Sequence, residues 1–139
     1  MPKNLEKAAT DLRNAYAGDT IGPLREYLEP TDIDSAYKIQ AFNTDRWVAS
    51  GRKIVGCKVG LTAKSVQAQM GVDQPDFGIL FDDMQIDDGG NLLREKVIQP
   101  RAEAEVALIL SSDLPNRQVT QAEVEAAVGE AMAAIEIVD

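Results

Sequence analysis

The sequence predicts an α+β chain, with a helical N-terminal region over residues 1–52 and a strand-rich part over residues 53–139. Three observations point there. Apolar residues before Gly51 recur at three- and four-residue intervals. After residue 53 the spacing changes to alternation and short apolar runs punctuated by Gly, Pro and Asp. No internal repeat, low-complexity tract or flexible linker interrupts either part.

Residues 4–17 read as a helix ended by Gly18, and residues 32–50 as a second, with Thr31 as its N-cap and Gly51 after its last turn. On the second helix Ile33, Ala36, Tyr37, Ala41, Trp47 and Val48 fall at roughly helical spacing, the pattern of a core stripe rather than of a ligand cage. A strand over 53–60 follows, then a short helix over 62–70 stopped by Gly71. Gln74-Pro75-Asp76-Phe77-Gly78 and Asp87-Asp88-Gly89-Gly90-Asn91 have turn composition, with strands expected on their flanks. Residues 101–110 alternate as a strand, and 111–119 form a polar loop. Thr120-Gln121-Ala122-Glu123 is a capping box opening a helix to about residue 133. Residues 133–138 then read as a buried strand with no partner left in the sequence, so the chain is expected to be a fragment of a longer protein.

With 139 residues, 45% of them hydrophobic and 27% charged, the composition is that of one soluble folding unit. A net charge of −9 disfavours nucleic acid and anionic membranes as partners and leaves small molecules. The single Cys57 rules out an intramolecular disulfide, and no apolar run has the length of a signal or membrane segment, so a cytoplasmic protein is expected. The chain has no histidine, which removes the commonest general base and transition-metal ligand. Proton transfer falls to carboxylates and lysine, and a metal site would be all-oxygen, suited to magnesium or manganese, with magnesium favoured.

Three acids stand out in apolar surroundings. Glu103 and Glu105 share one face of a strand, about 6.6 Å apart along it. Glu136 sits in the middle of Ala133-Ala134-Ile135-Glu136-Ile137-Val138, where an unpaired carboxylate costs several kcal/mol. A shared divalent cation would settle all three; an exposed polar face with Glu136 paired to a lysine is the plainer alternative. Arg101 lies on the same face and either neutralises a glutamate or holds a substrate carboxylate. Lys58 has Gly56 and Gly60 as same-face neighbours, which suits close approach by a ligand or backbone, or else a β-bulge with the amine in solvent. Asp76 has turn composition around it, and Asp82 and Asp83 have the form of a solvated pair.

Gly56-Cys57-Lys58-Val59-Gly60-Leu61-Thr62, Gly71-Val72-Asp73-Gln74-Pro75-Asp76-Phe77-Gly78, Gln99-Pro100-Arg101-Ala102-Glu103-Ala104-Glu105 and Ala134-Ile135-Glu136-Ile137-Val138, in that order, resemble the hydratase and decarboxylase branch of the fumarylacetoacetate hydrolase superfamily, and within it the 2-oxopent-4-enoate hydratases. The resemblance implies a magnesium or manganese site at Glu103, Glu105 and Glu136 and acid–base roles for Lys58 and Asp76. It implies a mixed β-roll of which this chain holds the first half, a homo-oligomer, a 2-hydroxypenta-2,4-dienoate substrate, and a place in aromatic catabolism, where a complex with a related decarboxylase is possible. Relatives are expected to be about twice this long, with a further serine near the substrate. The rival readings are 4-oxalocrotonate decarboxylation by the same skeleton and a non-catalytic structural partner. Carbon–carbon hydrolysis is disfavoured, because relatives of that type place a histidine before the Glu-x-Glu strand.

Overall fold

The computed structural model describes residues 4–16, 18 and 20–139, in two compact units, Met1–Gln85 and Ile86–Asp139. Helices and small antiparallel sheets make an α+β chain. The change from helix to strand expected at residue 53 falls inside the first unit.

In the first unit α1 spans Leu5–Ala15, and the Asn4 side chain caps it by accepting the Lys7 N–H. Gly18, with φ +112°, follows its end as expected, while Ala17 lies outside the described residues. Helix α2 spans Ile33–Ala49 and is capped by Asp32, not Thr31: the carboxylate accepts the Ser35 N–H at 3.2 Å and faces the positive end of the helix. The two helices pack through Ala8, Ala9 and Ile39, with Leu5, Leu12, Tyr27 and Leu28 around them. The core line on α2 is therefore Ile39 and Asn43, and the expected stripe is out of phase, with Ile33 and Val48 exposed. Buried Asn43 accepts from Arg13 at 2.6 Å, which satisfies the polar group that sequence spacing had placed off the core.

Strand β1, Ile54–Gly60, pairs antiparallel with β2, Asp76–Phe81, and helix α3, Lys64–Met70, lies between them in the chain. Asp76, Phe77 and Gly78 thus belong to a strand and not to the expected turn, because the ladder to residues 58–60 overrides their turn composition. The β1 irregularity falls between Ile54 and Gly56 and leaves Lys58 in regular register. Asp82 and Asp83 close this unit: Asp82 accepts the Lys53 N–H at 3.1 Å, and Asp83 accepts from Arg52, whose guanidinium lies 4.1 Å from the Phe81 ring centroid.

In the second unit β3, Arg101–Leu110, pairs antiparallel with β4, Val128–Val138, and α4, Gln121–Ala127, joins them. The capping box forms as expected: Thr120 and Glu123 each accept from the other's backbone N–H. The helix ends at Ala127, about six residues early, because the chain from Val128 has the length of β3 beside it to pair with. The Glu136 strand is therefore paired, and it is largely exposed where burial had been expected. Val106, Leu108, Ile135 and Ile137 alternate on one open face of this ribbon.

Candidate functional site

The ribbon's other face carries the acids. Register puts Glu103 directly opposite Glu136, and Glu105 opposite Ala134, so the three lie on one face within a single diagonal step. Alanine at 134 leaves the space beside Glu105 open. Each residue offers a carboxylate oxygen, and the three oxygens lie within 4.8 Å of one another. Glu103 and Glu105 are exposed and Glu136 is half-buried, so convergence and not burial is what the fold supplies. Unit charges at this spacing repel by about 1 kcal/mol per pair even in water, and a shared cation reverses the sign.

The trio fits a divalent cation. Opposite ligands of calcium lie about 4.6–5.2 Å apart and those of magnesium about 4.2 Å. The observed limit already suits calcium; magnesium needs the widest pair to close by about 0.6 Å for opposite positions, or about 1.8 Å for adjacent ones. Exposed glutamates reach that by rotation about their own bonds. Arg101, opposite Val138, occupies the same face at the ribbon's end and makes no ion pair with Glu103 or Glu105.

In the first unit Lys58 stands opposite Gly78, and Asp76 opposite Gly60, which puts both side chains on one face of the β1–β2 ribbon. Each lies across the other strand's glycine. A Cβ on Gly60 would come 2.2 Å from Asp76 Oδ1, and one on Gly78 would come 2.8 Å from Lys58 Cγ. The approach of a ligand or backbone expected at the Lys58 glycines is not what the structure has: the Asp76 side chain lies against Gly60, and Gly56 faces open space.

Sequence reasoning missed what holds Asp76 in place. The Phe77 N–H donates to Tyr37 Oη at 3.1 Å, and the Phe77 carbonyl accepts from Gln40 Nε2 at 3.1 Å. Tyr37 and Gln40, three apart on α2, thus serve the outward backbone groups of the residue after Asp76, as a third strand would. The contact spans about forty residues, and no local pattern announces it. An apolar hollow of about 200 Å³ between α1 and α2 is lined by Leu12, Tyr16, Leu24 and Leu28 among others, and neither Lys58 nor Asp76 reaches it.

No family model matches the chain. Individual proteins do. It is 52% identical over 135 residues to 2-keto-4-pentenoate hydratase 1 of Dechloromonas aromatica, covering 96% of this chain and 51% of that one. It is 44% identical over 138 residues to the 2-keto-4-pentenoate hydratase of Paraburkholderia xenovorans, covering 99% and 51%. The structure of 4-oxalocrotonate decarboxylase from Pseudomonas putida G7, complexed with magnesium and adipate, superposes with a TM-score of 0.89 at 31% identity, over all of this chain and 53% of that one. The same enzyme has also been solved with calcium and acetate. The chain spans about half the length of the curated relatives it matches. Over the length it has, the chain is similar to the 2-keto-4-pentenoate hydratases and to 4-oxalocrotonate decarboxylase.

Proposed function

We propose that the chain is part of a metal-dependent hydratase, a lyase that adds water to 2-hydroxypenta-2,4-dienoate to give 4-hydroxy-2-oxopentanoate. The observation that carries this reading is the convergence of three carboxylates within 4.8 Å in a chain 52% identical to a hydratase of that class. Glu103, Glu105 and Glu136 hold the ion, magnesium or manganese, for which the magnesium in the decarboxylase neighbour is support. When bound, a divalent ion supplies Lewis-acid polarisation of a 2-oxo or 2-hydroxy acid.

The chain's own residues do the proton chemistry. Lys58 and Asp76 lie on one ribbon face; one protonates C5 as the 2-hydroxyl gives up its proton, leaving a 2-oxo acid unsaturated between C3 and C4, and the other takes a proton from the water that adds at C4 while C3 is protonated. The sum is one water taken up and no group lost. Arg101 holds the substrate's carboxylate. The strands form part of a mixed β-roll, and the complete enzyme is a cytoplasmic homo-oligomer of aromatic catabolism that associates with a related decarboxylase. No helix among the described residues is long and apolar enough to cross a membrane.

Dienol hydration by the longer enzyme, followed in wild type and Lys58→Ala, tests the assignment. Loss of at least a hundredfold in kcat with metal binding retained is expected; unchanged turnover would refute the role of Lys58. The second reading, decarboxylation, rests on the solved neighbours being decarboxylases. Carbon dioxide released from 2-oxohex-3-enedioate, with no hydration of the five-carbon dienol, would establish it instead.

A further inference from the structure

We infer that Asp139 is a positioning residue for the three glutamates, closing the open end of the β3–β4 ribbon so that Glu103 and Glu136 stay opposite each other. The inference rests on the metal reading given above. Asp139 follows the last ladder pair, Arg101 with Val138, and its side chain crosses to the segment that enters β3. One carboxylate oxygen accepts the Ile98 N–H at 2.8 Å, and the other accepts the Gln99 N–H at 2.5 Å. On the carbonyl side, Arg94 donates to the Val97 oxygen and, at 3.2 Å, to the Ile98 oxygen. The stretch 97–99 is therefore held along both rows of backbone groups.

Pro100 comes next and has no N–H, so it cannot donate to the ladder ahead of Arg101. The Asp139 carboxylate bridges from β4 to two consecutive backbone N–H groups of the bend at residues 98–99. Glu103 and Glu136 lie two positions in from that end. Like charges directly opposite push a pair of strands apart, and a two-stranded ribbon has little stability to spare. The far end is closed separately, where the Ser111 N–H and hydroxyl both donate to the Ala127 carbonyl, at 2.8 and 3.1 Å. Loss of the Asp139 clamp opens the ribbon where the acids are; loss of the Ser111 hydroxyl bond loosens it where they are not, with the backbone bond to Ala127 retained.

The test is Mn²⁺ titration of the 139-residue chain by calorimetry, with amide exchange at Ile98 and Gln99 followed by NMR in the metal-free protein. Asp139→Ala is expected to weaken Mn²⁺ binding at least tenfold and to speed exchange at both amides, while Ser111→Ala leaves affinity within twofold of wild type. Asp139→Asn, which keeps one good acceptor, should fall between, and serves as the variant if Asp139→Ala does not fold. Binding within twofold of wild type in the Asp139 variants would overturn the inference, and so would equal losses in the Asp139 and Ser111 variants. Absence of Mn²⁺ binding in wild type would instead overturn the metal reading itself.

Discussion

A methyl group added to Gly78 would sit 2.8 Å from Lys58 Cγ and 3.2 Å from Cδ, whereas one added to Gly56 meets nothing within 4 Å. The clash at Gly78 involves the stem of the lysine and not its tip, so Lys58 must change course to relieve it. Gly78→Ala is expected to destabilise by about 1 kcal/mol through overpacking. Gly56→Ala should be neutral or stabilise by up to about 1 kcal/mol, because alanine suits a strand better than glycine. Urea denaturation of the two variants reads the contrast directly, and equal effects would contradict the register. Tyr37→Phe removes the acceptor for the Phe77 N–H and should cost about 0.5–1.5 kcal/mol by the same measurement. At this scale the glutamates were legible, since period-two spacing and an acid isolated among Ile and Val residues are local signals. Tyr37 was legible as a partly covered helix residue, but its hydrogen bond to β2 was not, because only the tertiary fold brings the two together.

The N-terminus of α4 carries a depressed carboxyl. The Arg117 guanidinium, with help from the Thr120 backbone N–H and hydroxyl, holds the Glu123 carboxyl down at about 2, below its ordinary 4.5. A depressed carboxyl stabilises the fold fully above its unfolded value and loses that contribution as pH falls through the folded one. The stability of this element should therefore decline between about pH 4.5 and pH 2. Glu123→Gln should flatten that part of the profile in circular-dichroism melts, and an unchanged profile would contradict the assignment. Thr120→Ala should cost about 1 kcal/mol at neutral pH. The start of α4 could be read from the capping box alone, and its end could not. Val124 to Ala133 has no stop signal stronger than Gly129, and it is the β3 ladder that draws the chain from residue 128 into a strand. The misplaced turn at residues 74–78 has the same cause, a ladder partner distant in sequence.

Across the molecule, few apolar side chains are fully covered: Ala8, Ala9, Ile39, Phe81 and Ala127 are the buried ones among the described residues. Ile135 is 74% exposed and Val106 69%. Ile135→Thr should therefore change stability by less than about 0.5 kcal/mol in this chain, and a cost above 2 kcal/mol would mean the face is covered. The α+β class was legible from the change of spacing near residue 53. The burial of the Glu136 strand was misread because an apolar run specifies what can be covered, and not what is. Relatives about twice as long share this half at 44–52% identity, so the chemistry proposed for the complete enzyme is drawn from the part of the family pattern this chain contains.

Calorimetric titration of magnesium into the wild-type chain, Glu103→Gln and Glu136→Gln probes the central claim most directly. One ion per chain in wild type, with affinity reduced at least tenfold in each variant, is the outcome the converging carboxylates require. No saturable binding in wild type, or undiminished binding in both variants, would contradict it.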